Sequence, residues 1–312
     1  MEYRQLGSSG LKVSMIGLGS NTFGATAEEA GSIEVINTAI EHGVNFIDTA
    51  DVYSFGTSEE YVGKAIKGRR HELVIGTKVG VTMSDKPNDA GLSRGHIMTG
   101  VENSLRRLGT DYIDLYQAHT FDAATPLEET LRAFDDLVRQ GKVRYIGCSN
   151  WTAWQLAWGL GVQKSNDLAP WVSVQPEWNF VNGLQDPHLQ PACREFGVGI
   201  IPYMPLAAGA LTGKYTRGEA PPPGTRLADR PRTRRVLGDR LFDLIEVVTP
   251  WAEARGHTLP ELAIAWLLAQ PEVSTVIVGA RRAPQVVENL KAADWTVTPA
   301  ERDEVTALVE SV

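Results

Sequence analysis

Apolar positions along this chain follow two alternating patterns. Short β-branched or aromatic runs end on polar residues, and longer stretches follow in which apolar residues recur every three or four positions. Tyr3-Arg-Gln-Leu6 and Leu11-Lys-Val-Ser14 flank Gly7-Ser-Ser-Gly10 and predict a small β-hairpin. Met15-Ile-Gly-Leu-Gly19 predicts the first core strand, with further strands over 44–47, 73–78, 113–118, 144–148, 172–175, 199–204 and 275–278. Helical patterns separate them, near 28–42, 57–67, 94–108, 125–140, 153–162, 187–196 and 284–292, and a last helix covers 299–312. Thr57-Ser-Glu-Glu60 and Thr125-Pro-Leu-Glu128 read as capping boxes, the second with Pro at the first helical position and Gly141 as a stop. The eighth unit is delayed, because more than fifty residues lie between Met204 and the helix opened by Thr258-Leu-Pro-Glu261. They include Pro221-Pro-Pro-Gly224, an arginine-dense stretch (Arg226, Arg230, Arg232, Arg234, Arg235, Arg240) and an extra helix over 236–248, broken at Pro250. Eight strand–helix units with Val- and Ile-rich strands predict an α/β fold, a single (β/α)8 barrel domain spanning 1–312. It carries an N-terminal hairpin and a long loop after strand seven, and a loop of that length is usually functional.

Composition narrows the setting. A net charge of −8 argues against a nucleic-acid or anionic-membrane surface. No apolar run approaches the roughly 18 residues of a membrane span, and the N-terminus has no secretory apolar region. Cys148 and Cys193 form no motif and sit in apolar contexts. Inert, reduced thiols in a cytoplasmic protein are expected. There is no metal-ligand spacing.

In a barrel of this kind the chemistry lies at the C-terminal ends of the strands. The stretch 44–47 runs into Asp48, and a carboxylate at the end of a buried strand is costly unless a cation meets it. Lys78, at the end of the next predicted strand, is that cation. A structural ion pair lacing the barrel explains the two residues equally well. Tyr53 in the following loop and His119 at the end of strand four tilt the balance, since all four fall on one rim. A lysine beside a tyrosine lowers the phenol's pKa from about 10, and a carboxylate behind it holds the ammonium in place. A histidine opposite donates to the same substrate oxygen. Such a set protonates a carbonyl oxygen as charge grows on it, which hydride addition to an aldehyde or ketone demands.

Hydride transfer needs a cofactor. Gly17-Leu-Gly19-Ser-Asn-Thr22 begins like a dinucleotide fingerprint but lacks the third glycine and an immediate helix, so a Rossmann site is rejected. The last two units remain, where Gly209-Ala-Leu-Thr-Gly213-Lys214 and Gly279-Ala-Arg-Arg282 suit phosphate. Most of the arginine-dense stretch reads as a solvated loop.

These residues bring out a resemblance along nearly the whole chain. Gly43-Val-Asn-Phe-Ile-Asp-Thr-Ala-Asp-Val-Tyr53, Gly76-Thr-Lys78, Asp111-Tyr-Ile-Asp-Leu-Tyr-Gln-Ala-His119, Gly141-Lys-Val-Arg-Tyr-Ile-Gly-Cys-Ser-Asn150, Pro202-Tyr-Met-Pro-Leu206 and Val276-Ile-Val-Gly-Ala-Arg281 resemble the aldo-keto reductases. The branch is the bacterial one similar to potassium channel β subunits. The resemblance implies a catalytic tetrad of Asp48, Tyr53, Lys78 and His119. It implies that Ser149, Asn150 and Gln175 hold a nicotinamide carboxamide and that Tyr203 stacks on the ring. Thr22, Pro205, Leu206, Gly209, Leu211, Gly213 and Lys214 would follow the dinucleotide, the pyrophosphate lying along 206–214. Gly279, Arg281, Gln285, Glu288 and Asn289 would take the adenosine end. Asn21 and Phe23, with Tyr53 and His119, would meet a small-molecule carbonyl substrate. Asn21 and Met204 depart from common forms and bear on substrate preference. Arg281 favours NADPH, and a pocket that admits water implies that Asp48 faces a wet cleft. A nicotinamide-sensing subunit with slow turnover and a barrel hydrolase using Glu177 and Asp48 are the competing readings.

Overall fold

The computed structural model describes residues 1–229 and 236–312. Arg230, Arg232, Arg234 and Arg235 of the arginine-dense stretch lie outside the described residues. A hairpin of β1 (Tyr3–Gln5) and β2 (Lys12–Ser14) comes first, and the barrel units follow. They run β3 (Ile16–Gly19), α1 (Glu29–Glu41), β4 (Phe46–Asp48), α2 (Thr57–Ala65), β5 (Val74–Val79), α3 (Arg94–Leu108), β6 (Ile113–Ala118) and α4 (Leu127–Arg139). Then come β7 (Val143–Ser149), α5 (Ala153–Ser165), β8 (Trp171–Gln175), a short hairpin of β9 (Trp178–Asn179) and β10 (Gly183–Leu184), α6 (Leu189–Phe196) and β11 (Gly199–Ile200). After the long loop, with α7 (Arg226–Asp229) and α8 (Asp239–Glu253), the chain closes with α9 (Leu259–Leu268), β12 (Val276–Gly279), α10 (Ala283–Leu290) and α11 (Pro299–Glu310).

Eight strands pair in parallel in the order β11-β8-β7-β6-β5-β4-β3-β12. The ring closes where Ile200 N–H donates to Glu272 O, Ser274 N–H to Ile200 O and Ile277 N–H to Pro202 O. Period-two alternation divides the strands cleanly. Ile47, Ile75, Tyr116 and Val174 point outward into the helix layer, while Phe46, Val74, Leu115, Ile201 and Ile277 fill the barrel's interior. Leu6 and Val13 of the hairpin join that interior cluster and plug its lower end. Each such residue contributes about 1.5–3 kcal/mol on full burial, which holds the hairpin in place. Gly17 and Gly19 belong to this packing. A Cβ would stand 2.6 Å from the Phe46 ring at Gly17 and 2.6 Å from an Ile277 methyl at Gly19. Above the apolar layer the inward positions turn polar, and that layer is the floor of the site.

Several local expectations are corrected. The second barrel strand is displaced from 44–47 to Phe46–Asp48, so Asp48 lies within it. Gly56, left-handed at φ +96°, occupies the N-cap of α2, and Thr57 is already helical. The Thr57–Glu60 capping box is therefore absent, and the fully buried Glu59 beside it is bound by Thr77 and Arg107. The Thr125 hydroxyl donates to Asp122 instead of capping α4. Pro250 lies inside α8 without ending it, because Leu241, Leu244, Val248 and Ala252 anchor the helix on both sides of the missing N–H.

Candidate active site

The polar layer is built from one inward register on each of four strands: Asp48 on β4, Lys78 on β5, Gln117 on β6 and Gln175 on β8. Lys78 is fully buried, and its Nζ donates to Asp48 Oδ2 at 2.5 Å and to Thr49 O at 2.8 Å. Gln117 and Gln175 donate to Asp48 Oδ1 at 3.1 and 3.0 Å. Asp48 is 2% exposed, which corrects the expectation of a wet carboxylate. Its charge is compensated by one ammonium and two amides, as a buried carboxylate requires.

Tyr53 enters from the loop after β4, with its hydroxyl 3.4 Å from Lys78 Nζ. Ser54 and Phe55 behind it both sit at left-handed φ, +50° and +53°, and Gly56 follows at +96°. Such backbone costs about 1–3 kcal/mol per non-glycine residue. Ser54 Oγ donating to Phe23 O holds the turn. His119 caps β6, its N–H bonded to Val79 O, and its ring meets Tyr53 edge-on with centroids 5.9 Å apart. Burial first, then the Lys78 charge, pushes the imidazole down to about 3, so it is neutral at physiological pH. For Lys78, burial is the largest influence and works against the cation, but the charges and hydrogen bonds of Asp48 and Tyr53 together outweigh it and the pKa is raised. Tyr53 corrects a prediction. Burial raises its phenol above the ordinary value even though Lys78 pulls it down.

From this floor an elongated cleft of about 570 Å³ runs across the barrel mouth toward α10. It is lined by Asn21, Thr22, Asp48, Tyr53, Gln175, Tyr203, Pro205, Leu206, Gly209 and Lys214, and at its far end by Gly279, Arg281, Gln285, Glu288 and Asn289. Ser149 and Asn150 sit beside the inner end without lining it. Ser149 Oγ donates to Gln175 O, and Asn150 bonds to His119 O, to Ser149 Oγ and to the Tyr203 hydroxyl. Arg281 Nη1 leans on Asp229 at 3.5 Å, while its Nη2 is buried with no partner among the described residues. Lys214 Nζ lies over Gly209, where a Cβ would come within 3.3 Å.

Lys78 and His119, like Ser149 and Asn150, adjoin the cleft without lining it, and three further assigned residues lie away from it. Phe23 is wholly buried in the outer core, so its assignment to substrate is corrected; its carbonyl holds the Tyr53 loop instead. Leu211 is likewise fully buried, and Gly213 caps a 3₁₀ turn facing solvent. Two contributors escaped notice. Gln117 is two residues before His119 on an inward register, a spacing that period-two reading detects. Arg226 lines the cleft with Gly224 and Thr225, although the arginine-dense stretch reads as a solvated loop. Arg240 binds the Val181 carbonyl and the chain end, away from the cleft.

A closed parallel barrel whose polar cluster and long cleft share the C-terminal rim belongs to the barrel proteins that keep their chemistry there. The family model described as Aldo/keto reductase family matches residues 15–310, and the chain belongs to that family. It is 38% identical over 320 residues to a "Probable voltage-gated potassium channel subunit beta" of Arabidopsis thaliana, covering 100% of this chain and 97% of that protein. A "Putative voltage-gated potassium channel subunit beta" of Schizosaccharomyces pombe is 38% identical over 305 residues, 94% of this chain and 88% of that one. The "Uncharacterized oxidoreductase YrpG" of Bacillus subtilis is 34% identical over 305 residues, covering 94% and 91%. Among the described residues no helix is long and apolar enough to cross a membrane.

Proposed function

We propose that the protein is an NADPH-dependent carbonyl reductase, turning aldehydes or ketones into alcohols with Tyr53 as proton donor. The observation that carries this reading is the Tyr53 hydroxyl 3.4 Å from a buried ammonium, itself locked to Asp48 at 2.5 Å, at the inner end of a dinucleotide-sized cleft. The cleft suits the cofactor: the Arg281 nitrogen without a partner among the described residues and the lysine above Gly209 supply cationic donors where phosphates would lie. When bound, the nicotinamide supplies the hydride. This chain's residues do the rest. Ser149, Asn150 and Gln175 orient the carboxamide, and Tyr203 offers its ring face. Tyr53 gives its proton to the carbonyl oxygen, Lys78 stabilises the phenolate left behind, and neutral His119 donates to the same oxygen. Asp48 keeps Lys78 charged and in place. A hydrolase built on Asp48 and Glu177 is disfavoured, because both Asp48 oxygens are already taken.

The names of two relatives favour a second reading, a nicotinamide-binding subunit with slow turnover. A steady-state assay with NADPH and 4-nitrobenzaldehyde separates the two. Sustained turnover supports the enzyme, and tight NADPH binding with negligible turnover supports the subunit.

Cofactor choice rests on Arg281, whose guanidinium gains far more from a 2′-phosphate than from a ribose hydroxyl. Arg281→Ala is expected to weaken NADPH binding by about 1.5–3 kcal/mol, roughly ten- to a hundredfold, and to leave NADH nearly unchanged. Fluorescence titration beside Arg282→Ala, at low and high salt, checks this. Equal loss for both nucleotides in both variants, or no loss in either, would move 2′-phosphate recognition elsewhere.

A further inference from the structure

Behind the reactive layer lies a second buried cluster that the chemistry above leaves unused. Asp51 is 2% exposed, sits between Asp48 and Tyr53 in the chain, and its N–H bonds to the Lys78 carbonyl. Its Oδ1 has no partner among the described residues. Glu59 on α2, Arg107 on α3 and Lys78 on β5 act on it, the Val52 backbone N–H donates to its carboxyl, and on β6 the buried hydroxyl of Tyr116 is raised in turn by burial and by the Asp51 charge. The cations of the cluster are already committed. Arg107 Nε is 2.6 Å from Glu59 Oε2, Thr77 holds Glu59 Oε1 at 2.6 Å, and Lys78 is locked to Asp48. Three buried carboxyl groups thus share two cations, and Asp51 is the one left without a partner charge. An ionised carboxylate in that position is costly, so it keeps its proton.

We propose that Asp51 is a positioning residue for the reductive step. Its backbone N–H holds the Tyr53 loop against β5 in either protonation state; ionised, its carboxyl sets an extra negative charge behind Lys78 and weakens Tyr53 as a proton donor. Burial, with the Glu59 charge adding to it, pushes the Asp51 carboxyl up to about 7. Its charge in turn raises the Tyr53 phenol. The sign follows: reduction slows as pH rises through neutrality, because negative charge already stands where more must develop.

The inference rests on the reductase reading, so its test has one arm that needs no turnover. Infrared difference spectra of the cofactor-free wild type should show a buried protonated carboxyl band that disappears as pH rises through about 7 and is missing in Asp51→Asn. Folding stability gives the same sign. A carboxyl raised above its unfolded value contributes fully below about pH 4, and that contribution is lost as pH rises through about 7. Wild type should therefore lose stability over that window relative to Asp51→Asn. In the second arm, single-turnover reduction at saturating NADPH should fall about three- to tenfold across neutrality in wild type and stay level in Asp51→Asn. The proposal is overturned if the wild type shows no such band, if both proteins share the same pH step, or if Asp51→Asn merely lowers the melting temperature. Absence of turnover in wild type at every pH is instead the failure of the reductase reading, and the infrared band still decides whether Asp51 holds the proton.

Discussion

Tyr53→Phe is expected to lower the single-turnover rate of carbonyl reduction by about 10²–10⁴-fold, with cofactor affinity and melting temperature little changed. Only the hydroxyl is removed. The ring that meets His119 edge-on at 5.9 Å and lies 5.0 Å from the Lys78 ammonium stays in place. Because burial keeps the Tyr53 phenol above its ordinary value, the donor carries its proton throughout the neutral range, and the loss should be seen at every such pH. Lys78 keeps Asp48 as partner in the variant, so no buried charge is orphaned and the fold has no reason to weaken. Near wild-type turnover in a folded Tyr53→Phe protein would remove Tyr53 from the chemistry and return the cluster to a structural role.

The barrel was legible because short β-branched runs end on polar residues and alternate with helical patterns. Asp48, Lys78 and His119 could be found by asking what stands at those ends, since a charge closing a buried strand needs a reason. The glycines at 17 and 19 were harder. They look like a fragment of a phosphate loop until Phe46 and Ile277 are seen filling the space their side chains would need. Helix starts failed for separate reasons: left-handed Gly56 takes the N-cap of α2 ahead of Thr57, and Asp122 takes the Thr125 hydroxyl. Phe23 was misassigned because nearness in sequence to the rim does not say which way a ring points. The charge balance at Asp51 was beyond reach, for it depends on α2, α3, β5 and β6 converging from four separate stretches.

Lys78→Met carries the other large effect, and it joins catalysis to stability. With Lys78 fully buried and Asp48 2% exposed, removing the ammonium leaves a carboxylate with only the Gln117 and Gln175 amides. Breaking one side of a buried pair costs about 3–5 kcal/mol, because the remaining charge is uncompensated. The two amides place the expected cost toward the lower end of that range. Reduction should be lost as well, since nothing then stabilises a Tyr53 phenolate. Lys78→Met/Asp48→Asn separates the two consequences. Deleting both charges should recover much of the stability while leaving reduction abolished, a non-additivity expected of residues in direct contact. Denaturant unfolding measures the first, and single-turnover reduction the second. A melting-temperature drop in Lys78→Met with turnover retained would show that the pair laces the barrel and takes no part in the reaction.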